Sequence, residues 1–391
     1  MDNYRRSLLK GASAFSLSLL LASPFPVYAK PIYVKPKQRE IVDILGREIV
    51  LPQELTRIYV ADSGLFLLYA SLNEGALYER LIAMPSAFRT ADLSVYHQYT
   101  RAFPQLLALP EFTAMSSGHF NSEKLIALKP DVIIVAVGTY RAISVNGVLD
   151  LLTKANIPVV ALDLSIDPLN NTPISTSIMG NMLGNTQQSQ AMNQFREKQL
   201  SYISQQLGKK PFKRPNVLFE RAAGFTPECC LSYGNGSMGQ MLQSAGGKNL
   251  GSEYIKSTYG LLNQETVIYS EPDKIFLTGA DWSGYNPSGD WINLGPGANL
   301  ALAKQQLTVL MQRLAYKTLD AVKNKQVYAI WHSFYDSPFG FIAILQMAKW
   351  LHPERFSHLD ADAIFHEYHT QFLPVEWETG YWVTLLDEDK E

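Results

Sequence analysis

The chain writes one local pattern twice. Asn121-Ser122-Glu123 begins a stretch in which six residues separate the glutamate from Pro130-Asp131, and an apolar run follows. Asn263-Gln264-Glu265 begins a second copy that reaches Pro272-Asp273 in the same frame. In each copy the asparagine suits a helix N-cap, and the glutamate falls in the first turn, where the helix dipole favours a carboxylate. The proline stops the helix and the apolar run is the next strand. The copies lie too far apart for a solenoid repeat. They predict two similarly built α/β halves, and a length of 391 residues suits about two domains.

The surrounding sequence fits that division. Residues 39–52, "REIVDILGREIVLP", alternate as a β-hairpin around a Leu-Gly turn. "RIYVADS", "VIIVAVG" and "IPVVALD" are short apolar runs between helical segments, the pattern of buried parallel strands. Residues 185–210 contain no proline, and Met192, Phe195, Leu200, Ile203 and Leu207 form one stripe ended by Gly208. Strand-to-loop segments then resume with "NVLFERAAG", "DKIFLTGAD" and "QVYAIWHSF". The expected fold class is α/β: two Rossmann-like lobes, each with a mostly parallel sheet, joined by one long α-helix. The first lobe spans 30–184, the interlobe helix 185–210 and the second lobe 211–391.

Residues 1–29 read as a secretory signal: basic start, apolar segment from Ala12 to Ala22, and a small-residue cleavage pattern ending at Ala29. Arg5-Arg6 resemble a twin-arginine signal, with departures at Tyr4 and Leu8; a general secretory signal is the alternative. No cysteine follows the apolar segment, so the expected product is exported, soluble in the periplasm and without a lipid anchor. Cys229 and Cys230 are adjacent, and an oxidising compartment leaves a vicinal bridge or two thiols open.

Composition narrows the function classes. Hydrophobic residues make up 47%, charged residues 18%, and net charge is −2, which argues against a nucleic-acid partner. No P-loop, G-x-S-x-G or H-E-x-x-H occurs, so a binding protein is expected rather than an enzyme. The rival from another class is a twin-arginine-exported periplasmic enzyme.

"SEKLIALKPDVIIV", the lone long helix, "NKQVYAIWHSFYDSP" and "WLHPERFSHLDADAIFHEYHTQFLP" resemble periplasmic solute-binding proteins of ABC importers. The similar group is the helix-hinged class serving iron–siderophore, haem and vitamin B12 uptake. The resemblance implies a monomer that holds its ligand between the lobes. It also implies that Glu123 and Glu265 dock, one per lobe, on the two halves of an inner-membrane permease. The competing reading of both glutamates is helix-start chemistry alone.

Loops after strands should line such a cleft. They offer Tyr140 and Arg141 after "VIIVAVG", Arg221 after "NVLFE", Trp282 after "IFLTGA", and Trp331, His332 and Tyr335 after "VYAI". Arginines pair with carboxylates or catecholates and rings cover a flat chelate, so the mixture suits an anionic ferric chelate. Haem, held by Tyr96 or Tyr140 with His332, cobalamin and an oxyanion such as molybdate are the alternatives. No resident cofactor and no directly bound metal are expected.

Overall fold

The computed structural model of the protein describes residues 38–73, 77–227 and 229–386. The export signal expected over 1–29 lies outside the described residues. The described chain opens with the hairpin β1 (Gln38–Val42) and β2 (Glu48–Pro52), paired antiparallel. Asp43 organises its turn by accepting from the Leu45 and Arg47 amides at 3.0 and 3.1 Å.

The first lobe is built on β3 (Ile58–Val60), β4 (Leu81–Pro85), β5 (Glu111–Phe112), β6 (Val132–Ala136) and β7 (Val159–Leu162). Their order is β5-β4-β3-β6-β7, and every pairing is parallel. The second lobe uses β8 (Asn216–Glu220), β9 (Leu231–Tyr233), β10 (Lys248–Asn249), β11 (Tyr259–Leu261), β12 (Lys274–Gly279), β13 (Val327–Trp331) and β14 (Trp382–Thr384). Here the parallel centre β8-β12-β13 carries antiparallel margins, β9 and β11 on one side and β14 on the other. Strands β3, β4, β6, β7 and β13 are nearly or wholly buried, which is why they read as unbroken apolar runs rather than alternating ones.

The repeated pattern occupies equivalent places in the two sheets. Asn121 Oδ1 accepts from the Lys124 amide and Asn263 Oδ1 from the Glu265 amide, each at 2.8 Å, so both are N-caps. Lys129 and Glu271, just before the prolines, both turn left-handed at φ 47° and 40°. The aspartates then clamp neighbouring strand starts. Asp131 Oδ2 accepts from Thr56 and Arg57 amides at 2.8 and 2.9 Å, beside β3. Asp273 Oδ2 accepts from the Asn216 amide of β8 at 2.7 Å. The strand each aspartate introduces, β6 or β12, pairs in parallel with the strand it clamps.

The helix Thr186–Gly208 follows the helix Pro168–Leu183 after a left-handed Gly184. The two pack closely, since a Cβ on Gly180 would lie 2.4 Å from the Ser189 side chain. Arg196 donates to the Pro168 and Leu169 carbonyls at 3.1 and 2.9 Å. On its other side Phe195 meets Phe341, Tyr368 and Phe372 of second-lobe helices. The long helix is thus packed against both lobes. Cys229 and Cys230 are joined as a disulfide and buried. Among the described residues no helix is long and apolar enough to cross a membrane.

Candidate functional site

Residues that follow strands in both sheets line one cavity of about 660 Å³. The first lobe contributes Asp62 after β3, Asp92 beyond β4, and Gly138 and Thr139 beyond β6. The second contributes Arg221 after β8, Trp282 and Tyr285 after β12, and His332, Tyr335 and Asp336 after β13. Placement beyond the carboxyl ends of parallel strands is the general rule for sites in open α/β sheets.

Arg221 is the single cation in the lining among the described residues. It forms no salt bridge among them; its guanidinium lies 4.5 Å from the Tyr259 ring centre and 5.8 Å from that of Tyr335. The chain turns sharply just after it. Ala222 is left-handed at φ 50°, and its amide donates to Thr278 Oγ1 at 2.8 Å. The same hydroxyl hydrogen-bonds His332 Nδ1 at 2.8 Å. One threonine on β12 therefore ties the turn after β8 to the end of β13. Just before Arg221, buried Glu220 is fixed by Arg313 at 2.9 Å and by the Tyr316 hydroxyl. A non-glycine residue in the left-handed region costs energy, and such strain clusters where a side chain must be aimed.

Burial and the Arg221 guanidinium hold His332 well below the usual histidine range, so its imidazole is neutral. Rings surround it, with Trp282 at 5.3 Å and Tyr335 at 4.7 Å. Phe225 continues this wall against Trp282 at 5.3 Å and stacks on Tyr285 at 5.2 Å.

Three carboxyls face the same space. Asp62 accepts from the Ala136 amide and the Thr139 hydroxyl, both at 2.7 Å, yet burial pushes its pKa up. Burial likewise raises Asp336 to about 7, with Tyr335 and Arg221 opposing and Asp62 adding to the shift. The folded state thus keeps a proton on Asp336 that the unfolded chain releases in the ordinary carboxylate range. Its contribution to stability must fall as pH rises toward about 7 and stay at its lowest above that. Asp336→Asn, neutral at every pH, is expected to raise the melting temperature relative to wild type at pH 8 and much less at pH 4. A difference independent of pH would contradict the shift.

The seam beside the cavity is held by hydrogen bonds between lobes. Asp92 caps the helix Leu93–Ala102 through the Ser94 and Val95 amides, and its other oxygen accepts from Trp331 Nε1 at 2.6 Å. The Leu93 amide donates to the Asp281 carbonyl at 2.8 Å, and Gln98 donates to the Glu376 carbonyl at 2.8 Å. On the opposite flank Gln240 donates to Asp167 at 2.8 Å and the Ser237 amide to the Ile166 carbonyl at 3.2 Å. Deeper in, a Cβ on Gly64 would lie 1.8 Å from the Asp336 carbonyl oxygen, so only glycine fits there.

Of the residues expected in the cleft, the structure brings Arg221, Trp282, His332 and Tyr335 together. It places Tyr140, Arg141 and Trp331 outside the lining. The helix after β6 begins at Val137 without an intervening loop, so Gly138 and Thr139 reach the cavity instead. Tyr140 lies under the Arg47 guanidinium at 3.9 Å, and Arg141 is exposed. Trp331 and His332 are neighbours at a strand end, where successive side chains diverge. The histidine takes the cavity side; Trp331 stacks on Phe339 and gives its N–H to Asp92. Tyr96 is also absent from the lining, so neither tyrosine considered as a haem partner meets His332 there. Thr278 and Asp336 belong to the site although the sequence does not single them out. Asp336 directly follows an expected residue, whereas Thr278 sits inside a strand and gives no signal of its own.

Glu123 and Glu265 are exposed in the first turns of their helices, and neither lines the cavity.

The sequence profile of the periplasmic binding protein family matches residues 92–332. The chain belongs to the periplasmic binding protein family. Similar solved structures include the TroA-like periplasmic binding protein FepB from Veillonella parvula, at 23% identity, 89% coverage of this chain, 99% of that chain and TM-score 0.80. Molybdate-bound MolA of Haemophilus influenzae aligns at 20% identity over 87% of this chain and 99% of that one, with TM-score 0.67. A periplasmic heme binding protein from Pseudomonas aeruginosa aligns at 17% identity over 77% and 94%, with TM-score 0.54. At these identities the likeness speaks to the fold. A search of curated protein sequences finds no match.

Proposed function

We propose that this protein is the substrate-binding component of an ABC importer and captures an iron–siderophore-type chelate between its lobes. The observation that carries the reading is Arg221: an arginine without an ion-pair partner among the described residues, set in an aromatic wall of the interlobe cavity. An arginine so placed suits a carboxylate or catecholate, and the rings of Trp282, Phe225, Tyr285 and Tyr335 suit a flat, partly apolar chelate. The volume is in the range of small-molecule sites, about 300–1,000 Å³, and exceeds what a small oxyanion needs. The raised pKa of Asp336 supports the same reading, because a protonated carboxyl donates to a ligand oxygen rather than repelling it.

In this reading residues 1–29 export the chain to the periplasm, and residues 185–210 join a ligand-binding lobe at 30–184 to another at 211–391. Trp282 reports on occupancy. Ferric chelates titrated into the protein should quench its fluorescence to saturation, and Trp282→Phe should remove much of the quench. No saturable change with any chelate, or formation of a product, would favour the enzyme class instead.

Delivery to the permease is assigned to Glu123 and Glu265. The double change to Ala should leave ligand affinity intact and cost only the ~0.3–1 kcal/mol of a lost dipole charge per helix. Uptake should nevertheless fall, and further with Lys at both positions, because a cation would then face the permease's cations. Wild-type uptake by the double Ala variant would reduce both residues to helix-start chemistry.

A further inference from the structure

We propose that the second lobe carries a separate binding site for a small aromatic anion, built around Lys274 in a cavity of about 800 Å³ that shares no lining residue with the interlobe cleft. The proposal is independent of the ligand assigned to that cleft. Lys274 opens β12, and its ammonium donates to Gln326 Oε1 and to the Tyr328 hydroxyl. Both partners are neutral. Among the described residues no carboxylate is within salt-bridge distance of the amine. Asp273, next in sequence, is occupied by Lys213 at 3.5 Å and by the Asn216 amide at 2.7 Å. Partial burial depresses the amine to about 8, against the opposing charges of Asp273 and Glu354. A partly buried charge held at close range by neutral groups is costly, and an approaching anion would offset that cost.

The walls add the second half of the ligand. Trp350 lies 4.9 Å from the Tyr328 ring at a tilt of 33°, and Trp382 of β14 lines the cavity as well. Lys304 and Lys349 contribute two further amines to the lining. Two acids also line it, and both are engaged: Asp360 caps the helix Ala361–Phe372 by accepting from the Ala363 amide at 2.9 Å, and Asp362 accepts from the Trp382 side chain. An ammonium whose hydrogen-bond partners among the described residues are neutral, beside indole and phenol rings, fits a flat aromatic body bearing a sulfonate or carboxylate.

The probe is 8-anilinonaphthalene-1-sulfonate titrated into the exported chain, read by dye fluorescence and by energy transfer from tryptophan. A single saturable site is expected. Lys274→Met should weaken it roughly tenfold or more. Lys304→Glu, on a half-exposed side chain, should weaken it severalfold and serves if Lys274→Met fails to fold. Trp350→Phe should reduce the energy transfer. Absence of saturable binding overturns the proposal, and so does binding that none of the three changes alters.

Discussion

Arg221→Ala is expected to lower affinity for the cleft ligand by about 2–5 kcal/mol, the range for losing one partner of a desolvated charge pair. The melting temperature should hardly move, because the side chain rests on Tyr259 and Tyr335 and closes no ion pair among the described residues. The turn that presents it is held by other groups, the Ala222 amide on Thr278 and Glu220 on Arg313. Arg141→Ala is the matched control: that side chain is exposed on the helix Val137–Val145, outside the lining, and its removal should leave affinity unchanged. Equal losses from the two changes, measured by titration calorimetry, would refute the assignment of the anion-binding role to Arg221.

Asp92→Ala is expected to produce a large stability loss. It removes an N-cap, which costs about 1 kcal/mol. It also strands the buried Trp331 N–H, which costs about 1–3 kcal/mol. The sum, roughly 2–4 kcal/mol, should appear as a lower urea midpoint. Trp331→Phe should cost less in the Asp92→Ala background than in wild type, since the N–H then has nothing left to lose. Strict additivity would mean that the interlobe bond contributes nothing. Burial raises Asp92 to about 6. Its carboxyl, like that of Asp336, therefore favours the folded state less as pH rises through that value.

Much of this architecture was legible in the residues. Strands β3, β6, β7, β8, β12 and β13 announce themselves because parallel strands covered on both faces are apolar on both. The doubled Asn-x-Glu…Pro-Asp pattern is legible because every residue in it has a local duty: cap, dipole charge, helix stop, strand clamp. The two-residue strands β5 and β10 are too short to show a period, and β11 is an exposed edge whose residues look like loop. Site residues were harder for a physical reason. Tyr140, Arg141 and Trp331 have the right chemistry one or two residues from the right place: the first two lie on a helix, which turns each successive side chain by about 100°, and Trp331 ends a strand, where successive side chains take opposite faces. Whether a residue after a strand faces the cleft depends on where the next helix starts, and nothing in "VAVGTYR" marks Val137 as that point. Thr278 organises both Arg221 and His332 from inside an apolar run, where a hydroxyl reads as an ordinary strand residue.

The cavity between the lobes is expected to hold one small molecule, a ferric chelate, by way of Arg221. The most direct measurement is native mass spectrometry with an absorption spectrum on wild type and Arg221→Ala, both purified from the periplasm of iron-limited cells. Wild type should carry a single iron-containing small molecule per chain, with the visible band of a ferric chelate, and Arg221→Ala should emerge without it. A haem spectrum, a bound oxyanion, or the same chelate retained in full by Arg221→Ala would contradict the claim.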